Sequence, residues 1–242
     1  MTPLLQYAAQ WGFAALGARS RIARTISSAA RDYPEWRDSR GAGRTPLSDS
    51  VPWITFGAAR FLDQIIRRDW KVFEYGSGGS TLYLAGRAGQ LVTIEHDRAW
   101  AARVRGELAR RNLGRCELRC IEPERAASPA DPSDPDGATS SAPELRELSF
   151  ARYAAAIDAA EDSSLDLVVV DGRARPACVA HARGKVKPGG FLLLDNSDRP
   201  HYAKAAAALG AWKRRDFHGP GPYVLAFFCS TFWQRPRAQR SS

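Results

Sequence analysis

Residues 71–85 read KVFEYGSGGSTLYLA and, after a short gap, residues 91–97 read LVTIEHD. The first stretch sets an apolar run containing the carboxylate Glu74 ahead of a Gly-Ser-Gly-Gly-Ser turn ending at Ser80, followed by helix-forming residues. Gly76 and Gly78 let the backbone approach a ligand closely, and the start of the following helix offers unpaired N–H groups. Glu95 ends the second apolar run 19 residues after Gly76. That is about the separation at which strand–turn–helix–strand units place an acid against ribose hydroxyls. The two strand ends therefore predict one nucleoside-bearing ligand held between them.

Working outward, strand and helix signals alternate. Upstream, Ser50 with Pro52 marks a helix start, and Ile54, Ala58, Phe61, Leu62 and Ile65 recur at helical spacing. Downstream of the strands at 72–75 and 91–95, Trp100, Val104 and Leu108 share a helix face, and Glu117–Ile121 reads as a third strand. Phe150, Tyr153, Ala154 and Ile157 return to helical spacing before LDLVVVDG at 165–172, a helix over 175–186, Lys187-Pro188-Gly189-Gly190, and FLLLDN at 191–196. The two continuous apolar strands, each ending in Asp, belong to a sheet buried on both faces with its site at the carboxyl edge. Tyr202, Ala205, Ala206 and Leu209 form a further helix face, and 213–218 with 223–229 read as a strand pair closed through Gly219-Pro220-Gly221-Pro222. The pattern predicts an α/β, Rossmann-like, seven-stranded, mostly parallel sheet with helices on both faces and an antiparallel last strand.

With 242 residues, 44% of them hydrophobic, the chain suffices for one such domain over residues 50–234. Residues 1–49 form a helical and irregular extension, read as a cap or partner surface, and 235–242 a disordered tail. Residues 123–143 contain five prolines among Ser, Ala and Asp. They read as a mobile loop insertion, either a tolerated one or a flap over the site. The net charge of +9 invites a polyanion partner, but thirty of the 35 basic residues are arginine in an alanine-rich chain, so part of the charge is compositional. Cys116, Cys120, Cys178 and Cys229 lack zinc-site spacing and read as reduced thiols. No apolar run approaches the ~20 residues of a bilayer span. The mildly apolar Leu4–Leu16 is not preceded by positive residues, which disfavours a secretory signal and predicts a cytoplasmic protein. Arg19, Arg21 and Arg24 behind it leave peripheral contact with an anionic membrane open.

The order Glu74-x-Gly76-x-Gly78, Glu95 ending the second strand, Asp171 ending the fourth, Pro188-Gly189-Gly190 and Asp195-Asn196 resembles the class I S-adenosylmethionine-dependent methyltransferases over roughly residues 50–230. Within them it is most similar to the catechol O-methyltransferase-like, small-molecule branch. The resemblance implies that Gly76, Gly78 and Ser80 belong to the cofactor-binding turn and that Glu74 orients the cofactor's ammonium. It implies that Glu95 takes the ribose hydroxyls and Glu122 lies near the adenine. Asp97 competes with Glu95 but is better placed to cap the next helix. In that branch an Asp and an Asp-Asn pair bind a Mg²⁺-like ion, which here implies Asp171, Asp195 and Asn196 as ligands. The chain departs from the branch three residues after the first Asp, where a general-base lysine is replaced by Ala174. Arg173 and Arg175 stay protonated and are no substitute as bases. They read as binders of an anionic substrate group or as salt-bridge partners of Asp171 and Asp198. Without a metal, Asp171 or His201 is the candidate proton acceptor, with His218 in the Gly-Pro loop a third.

The activity this implies is in-line methyl transfer to an oxygen, or less readily a nitrogen, of a small-molecule or glycan-like acceptor. A nicotinamide-dependent oxidoreductase competes, because Gly76-x-Gly78-x-x-Thr81 nearly matches the dinucleotide fingerprint; Thr81 stands for its third glycine. A nucleic-acid methyltransferase lacks support, since the chain has no Asn/Asp-Pro-Pro-aromatic motif and no Pro-Cys nucleophile. A cofactor-binding scaffold without turnover is the remaining alternative.

Overall fold

The computed structural model describes residues 22–128 and 130–237, with side chains described from residue 30 onward. Seven strands form one sheet: β1 (Lys71–Tyr75), β2 (Gln90–Glu95), β3 (Cys116–Cys120), β6 (Leu165–Val170), β7 (Val186–Leu194), β8 (Lys213–Pro220) and β9 (Phe227–Gln234), in the order β3-β2-β1-β6-β7-β9-β8. β9 runs antiparallel to both neighbours, and the other pairings are parallel, as the sequence predicts. Strand order reverses between β1 and β6. Their carboxyl ends therefore open a crevice at the point where helices leave towards opposite faces.

Alternation along each central strand feeds two apolar layers. Phe73, Tyr75, Val168, Val170, Leu192 and Leu194 face Ala177, Cys178 and Ala182 of α7 (Arg175–Ala182) together with Tyr153 and Ile157. Val72, Leu167, Val169, Leu193 and Phe232 face Leu62 of α3 (Phe56–Ile65) and Leu82 and Leu84 of α4 (Gly79–Ala85). Val104 and Leu108 of α5 (Arg98–Arg110) join the second layer.

Several boundaries differ from the expected ones. Ser50 does not open α3 but closes the short α2 (Pro46–Asp49) in a left-handed conformation, φ 55; Thr55 is the N-cap of α3. The helix expected over 175–186 ends at Ala182, because Lys187-Pro188-Gly189-Gly190 belongs to β7, accommodated by an irregularity opposite Leu165–Leu167 and by φ 84 at Gly189. The last strand begins at Phe227, not at 223. Tyr223 has φ 69 and donates its hydroxyl to Asp49 Oδ2 at 2.8 Å, so the apolar run beginning there enters through a turn. After Phe150 the helix is a single turn, α6 (Ala151–Ala154), continued as a 3₁₀ segment over Ala155–Ala159.

Within 123–149, β4 (Glu124–Arg125) pairs antiparallel with β5 (Leu148–Ser149), and Thr139 bridges to Ser149. Thr139 and Ser140 are buried. Ahead of the domain, α1 (Ile22–Ser39) presents a buried Asp32 to Arg60 Nη2 at 2.6 Å, and Trp36 Nε1 donates to Val224 O at 2.6 Å. Leu4–Leu16, Arg19, Arg21 and residues 238–242 lie outside the described residues. No described helix is long and apolar enough to cross a membrane.

Candidate active site

The glycine turn is pressed into place from two sides. Gly76 has φ 92, and a Cβ there would lie 2.8 Å from Gly172 Cα, so the end of β1 packs directly on the backbone that follows β6. At Gly79 a Cβ would meet Pro46 O at 2.1 Å, which docks α4 on α2. Gly78 is different: a Cβ would find no protein atom within 4 Å. The space it would enter belongs to a cavity of about 980 Å³ bordered by Gly76, Gly78, Ser80, Glu95, Asp171, Asp195 and Asn196. Both strand ends read from the sequence thus meet one cavity.

Glu74 lies beneath the turn, not on the cavity wall. It is fully buried; its Oε2 accepts from Thr81 Oγ1 at 2.6 Å and Thr93 Oγ1 at 2.7 Å, while Oε1 has no partner. Burial pushes this carboxyl up to about 7, against the opposing hydrogen bonds. Glu95 has the contrary outcome. Burial acts to raise it, but its donors prevail and hold it below the usual carboxylate range. Oε2 accepts from the Ser77 N–H at 3.0 Å and its hydroxyl at 2.9 Å, and Oε1 from the N–H groups of His96 at 2.7 Å and Asp97 at 3.0 Å. Of these, the Ser77 hydroxyl is the donor free to rotate away. Asp97 caps α5, accepting from Trp100 N–H at 2.9 Å, as its position predicts.

At the other strand ends, Asp171 follows β6 and Asp195 follows β7. Arg175 opens α7 and folds back between them because Ala174 takes a left-handed conformation, φ 46. Arg175 Nη2 lies 2.9 Å from Asp171 Oδ1, and Nη1 donates to Asp195 O at 2.5 Å and Asn196 Oδ1 at 3.3 Å. Asp195 Oδ1 accepts from Ser230 Oγ at 2.6 Å. Burial pushes Asp171 upward, opposed by Arg175, and drives Asp195 well above the carboxylate range, reinforced by the Asp171 charge. The Asp171 charge thus opposes ionisation of Asp195. The expected Mg²⁺ site does not fit this donor set. A guanidinium instead contacts all three intended ligands, at the Asp171 carboxylate, the Asp195 carbonyl and the Asn196 side-chain oxygen.

Arg173, Asp198 and Arg199 also border the cavity; Arg173 Nε is buried without a partner. The anticipated salt bridge to Asp171 is made by Arg175, whereas Asp198 accepts from the Cys229 N–H at 3.3 Å. His201 sits in a separate small recess with Thr139, Ser140 and Arg173, its Nε2 buried without a partner. Burial and the nearby Arg199 and Arg175 charges lower its pKa. Glu122 is outside the cavity wall, exposed and paired with Arg98, and His218 lies in β8, also off the wall. Sequence reasoning overlooked the partners: Ser77 under Glu95, Thr81 and Thr93 under Glu74, Trp100 whose Nε1 donates to Ser77 O at 2.8 Å, and Ser230 under Asp195. Thr81 was legible only as a departure from the dinucleotide fingerprint; the buried acid seven residues before it was the available signal.

No protein-family model and no curated protein sequence matches the chain. Solved structures do. An O-methyltransferase from Bacillus cereus, in complex with SAH, is 15% identical, with 97% of this chain and 100% of that chain covered and a TM-score of 0.55. A protein from Corynebacterium glutamicum is 10% identical, with 89% and 99% covered and a TM-score of 0.54. A methyltransferase-like protein from Silicibacter pomeroyi is 23% identical, with 84% and 94% covered and a TM-score of 0.47. The first of these, with the strand order, establishes the architecture: the chain has a Rossmann-like fold of the kind seen in that O-methyltransferase.

Proposed function

We propose that the chain is an S-adenosylmethionine-dependent methyltransferase acting on an oxygen of a small-molecule acceptor. The observation that carries this reading is the shared cavity: the open space at Gly78, the Glu95 carboxylate and the Asp171 edge border a single volume of about 980 Å³. The residues present fit the cofactor. Glu74 Oε1, buried beneath the turn and unpartnered, is an acceptor that an ammonium at the cavity wall would reach through water. Glu95 would take the ribose diol once the Ser77 hydroxyl turns aside, and Ser80 lines the same wall. The nicotinamide alternative is weakened at the same place, since a buried acid tied to Thr81 lies below the turn where a pyrophosphate would need close, uncharged backbone.

When bound, the cofactor supplies an electrophilic methyl group. The chain's own residues orient the acceptor, exclude water and take its proton. Asp171, on the cavity wall and partly accessible, is positioned to accept that proton, with the Arg175 charge opposing the effect of its burial and Arg175 also fixing the Asp195 backbone. His201, in its own recess, is the less direct acceptor. Arg173 and Arg199 at the wall suit a carboxylate or phosphate on the acceptor. The four free cysteines accord with a reducing, cytoplasmic setting.

Calorimetric titration with S-adenosylhomocysteine and with NAD⁺ tests the reading. Binding of the former, weakened at least tenfold in Glu95→Ala, is expected; binding of NAD⁺ alone would overturn it.

A further inference from the structure

Arg175 stands where the resemblance asks for a divalent ion, and its surroundings are complete without one. A guanidinium carries five N–H donors in one plane. Nε faces Gly172 O at 3.0 Å; Nη2 faces the carbonyl and Oδ1 of Asp171 at 3.0 and 2.9 Å; Nη1 faces Asp195 O at 2.5 Å and Asn196 Oδ1 at 3.3 Å. Four hydrogen bonds and one ion pair thus tie the guanidinium across the carboxyl ends of β6 and β7. The guanidinium is backed by the Tyr202 ring, 5.8 Å from its centroid, and the side chain is only 8% exposed. A cation at the first residue of a helix meets the unfavourable end of the helix dipole. The strand-end oxygens, not the helix, hold it there.

An ion bound by Asp171, Asp195 and Asn196 would need their side-chain oxygens free and would stand beside a fixed like charge. Instead Asp171 Oδ1 is ion-paired with Arg175 Nη2, Asn196 Oδ1 accepts from Nη1, Asp195 Oδ1 carries the Ser230 hydroxyl, and Asp195 Oδ2 lies 3.9 Å from Nη1. We propose that Arg175 is the built-in cation of this edge, a positioning residue that holds the strand-end acids permanently, and that the chain takes no divalent metal there. The inference rests on the methyl-transfer reading for the role of the edge. Its test needs neither cofactor nor acceptor, so failure here leaves the S-adenosylhomocysteine experiment to stand or fall separately.

The test is titration of the full chain with Mn²⁺, followed by the loss of the free-ion signal in electron paramagnetic resonance. No saturable site at the edge is expected in the natural chain. Arg175→Met, which removes the charge and keeps an extended side chain, is expected to gain one site that is lost again in Arg175→Met/Asp195→Asn. Saturable binding by the natural chain that Asp195→Asn or Asp171→Asn abolishes would overturn the proposal, as would a folded Arg175→Met chain that gains no site. Binding that survives both acid substitutions lies elsewhere and leaves the edge closed, as proposed. Should Arg175→Met not fold, the natural chain against the two acid variants still decides.

Discussion

Glu74 and Glu95 are the same residue type one strand apart, yet their surroundings push them in opposite directions. The Ser80, Thr81 and Thr93 hydroxyls oppose the rise at Glu74, but desolvation outweighs them and the carboxyl rises from 4.5 to about 7. A raised carboxyl holds its proton more tightly in the folded chain than in the unfolded one. Its contribution is therefore fully present below pH 4.5, is lost as pH rises towards about 7, and is level above that. The loss is on the order of 3 kcal/mol. Urea unfolding of the natural chain and Glu74→Gln across pH 4–9 is expected to show the difference between them changing over this window, the variant lacking the fall. Cofactor binding gives the companion expectation. An ammonium linked to Oε1 through water favours the carboxylate, so S-adenosylhomocysteine affinity rises with pH through the same window, and Glu74→Gln removes the dependence. Both glutamates were legible from the apolar runs that contain them. Their charge states were not, because burial decides Glu74 against the Ser80, Thr81 and Thr93 hydroxyls while the His96 side chain and the Asp97 amide, with Ser77, outweigh burial at Glu95, and no local pattern marks such partners.

The turn between β1 and α4 is built from glycines that serve different ends. Gly76→Ala adds a Cβ 2.8 Å from Gly172 Cα at a residue with φ 92, combining backbone strain with a contact that only main-chain movement relieves. A stability loss of about 2–4 kcal/mol is expected by chemical denaturation. Gly78→Ala adds a Cβ to empty space at an extended φ of 171, so stability should change by less than about 1 kcal/mol while S-adenosylhomocysteine binding falls at least tenfold. The two substitutions separate what the fold needs from what a ligand needs. Element order and strand identity were readable because each central strand is apolar throughout and ends in an acid. Boundaries failed where backbone conformation is set by tertiary contact. Tyr223 belongs to a turn because Asp49 holds its hydroxyl, and Lys187-Pro188-Gly189-Gly190 enters β7 because Leu165 and Leu167 pair across an irregularity. Arg175 was read as an anion binder or a salt-bridge partner; its full set of acceptors depends on the left-handed turn at Ala174, which the sequence does not announce.

At the scale of the whole molecule, the sheet supplies the floor of the cavity, while its rim is assembled from distant parts of the chain. Val224, Ala226 and Phe228 border the cavity, and the segment carrying them is tied to α1: Trp36 Nε1 reaches Val224 O, and the Tyr223 N–H donates to Ser39 Oγ at 3.0 Å. Trp36 is 1% exposed and packs on Phe56. Trp36→Ala is expected to cost about 3–5 kcal/mol in thermal or chemical unfolding. Trp36→Phe, which keeps most of the packing but removes the indole N–H, should cost far less and still weaken S-adenosylhomocysteine binding. Equal affinity in Trp36→Phe and the natural chain would dissociate α1 from the rim. The charge balance gives no comparable handle at this scale, since many arginines, such as Arg44, Arg98, Arg110 and Arg152, are spent on neighbouring acids. The indole clasp makes the doorway of the pocket an extension of α1. Whatever grips that helix, whether a second protein, a surface or a fusion tag, gains leverage over the threshold without ever touching the chemistry inside.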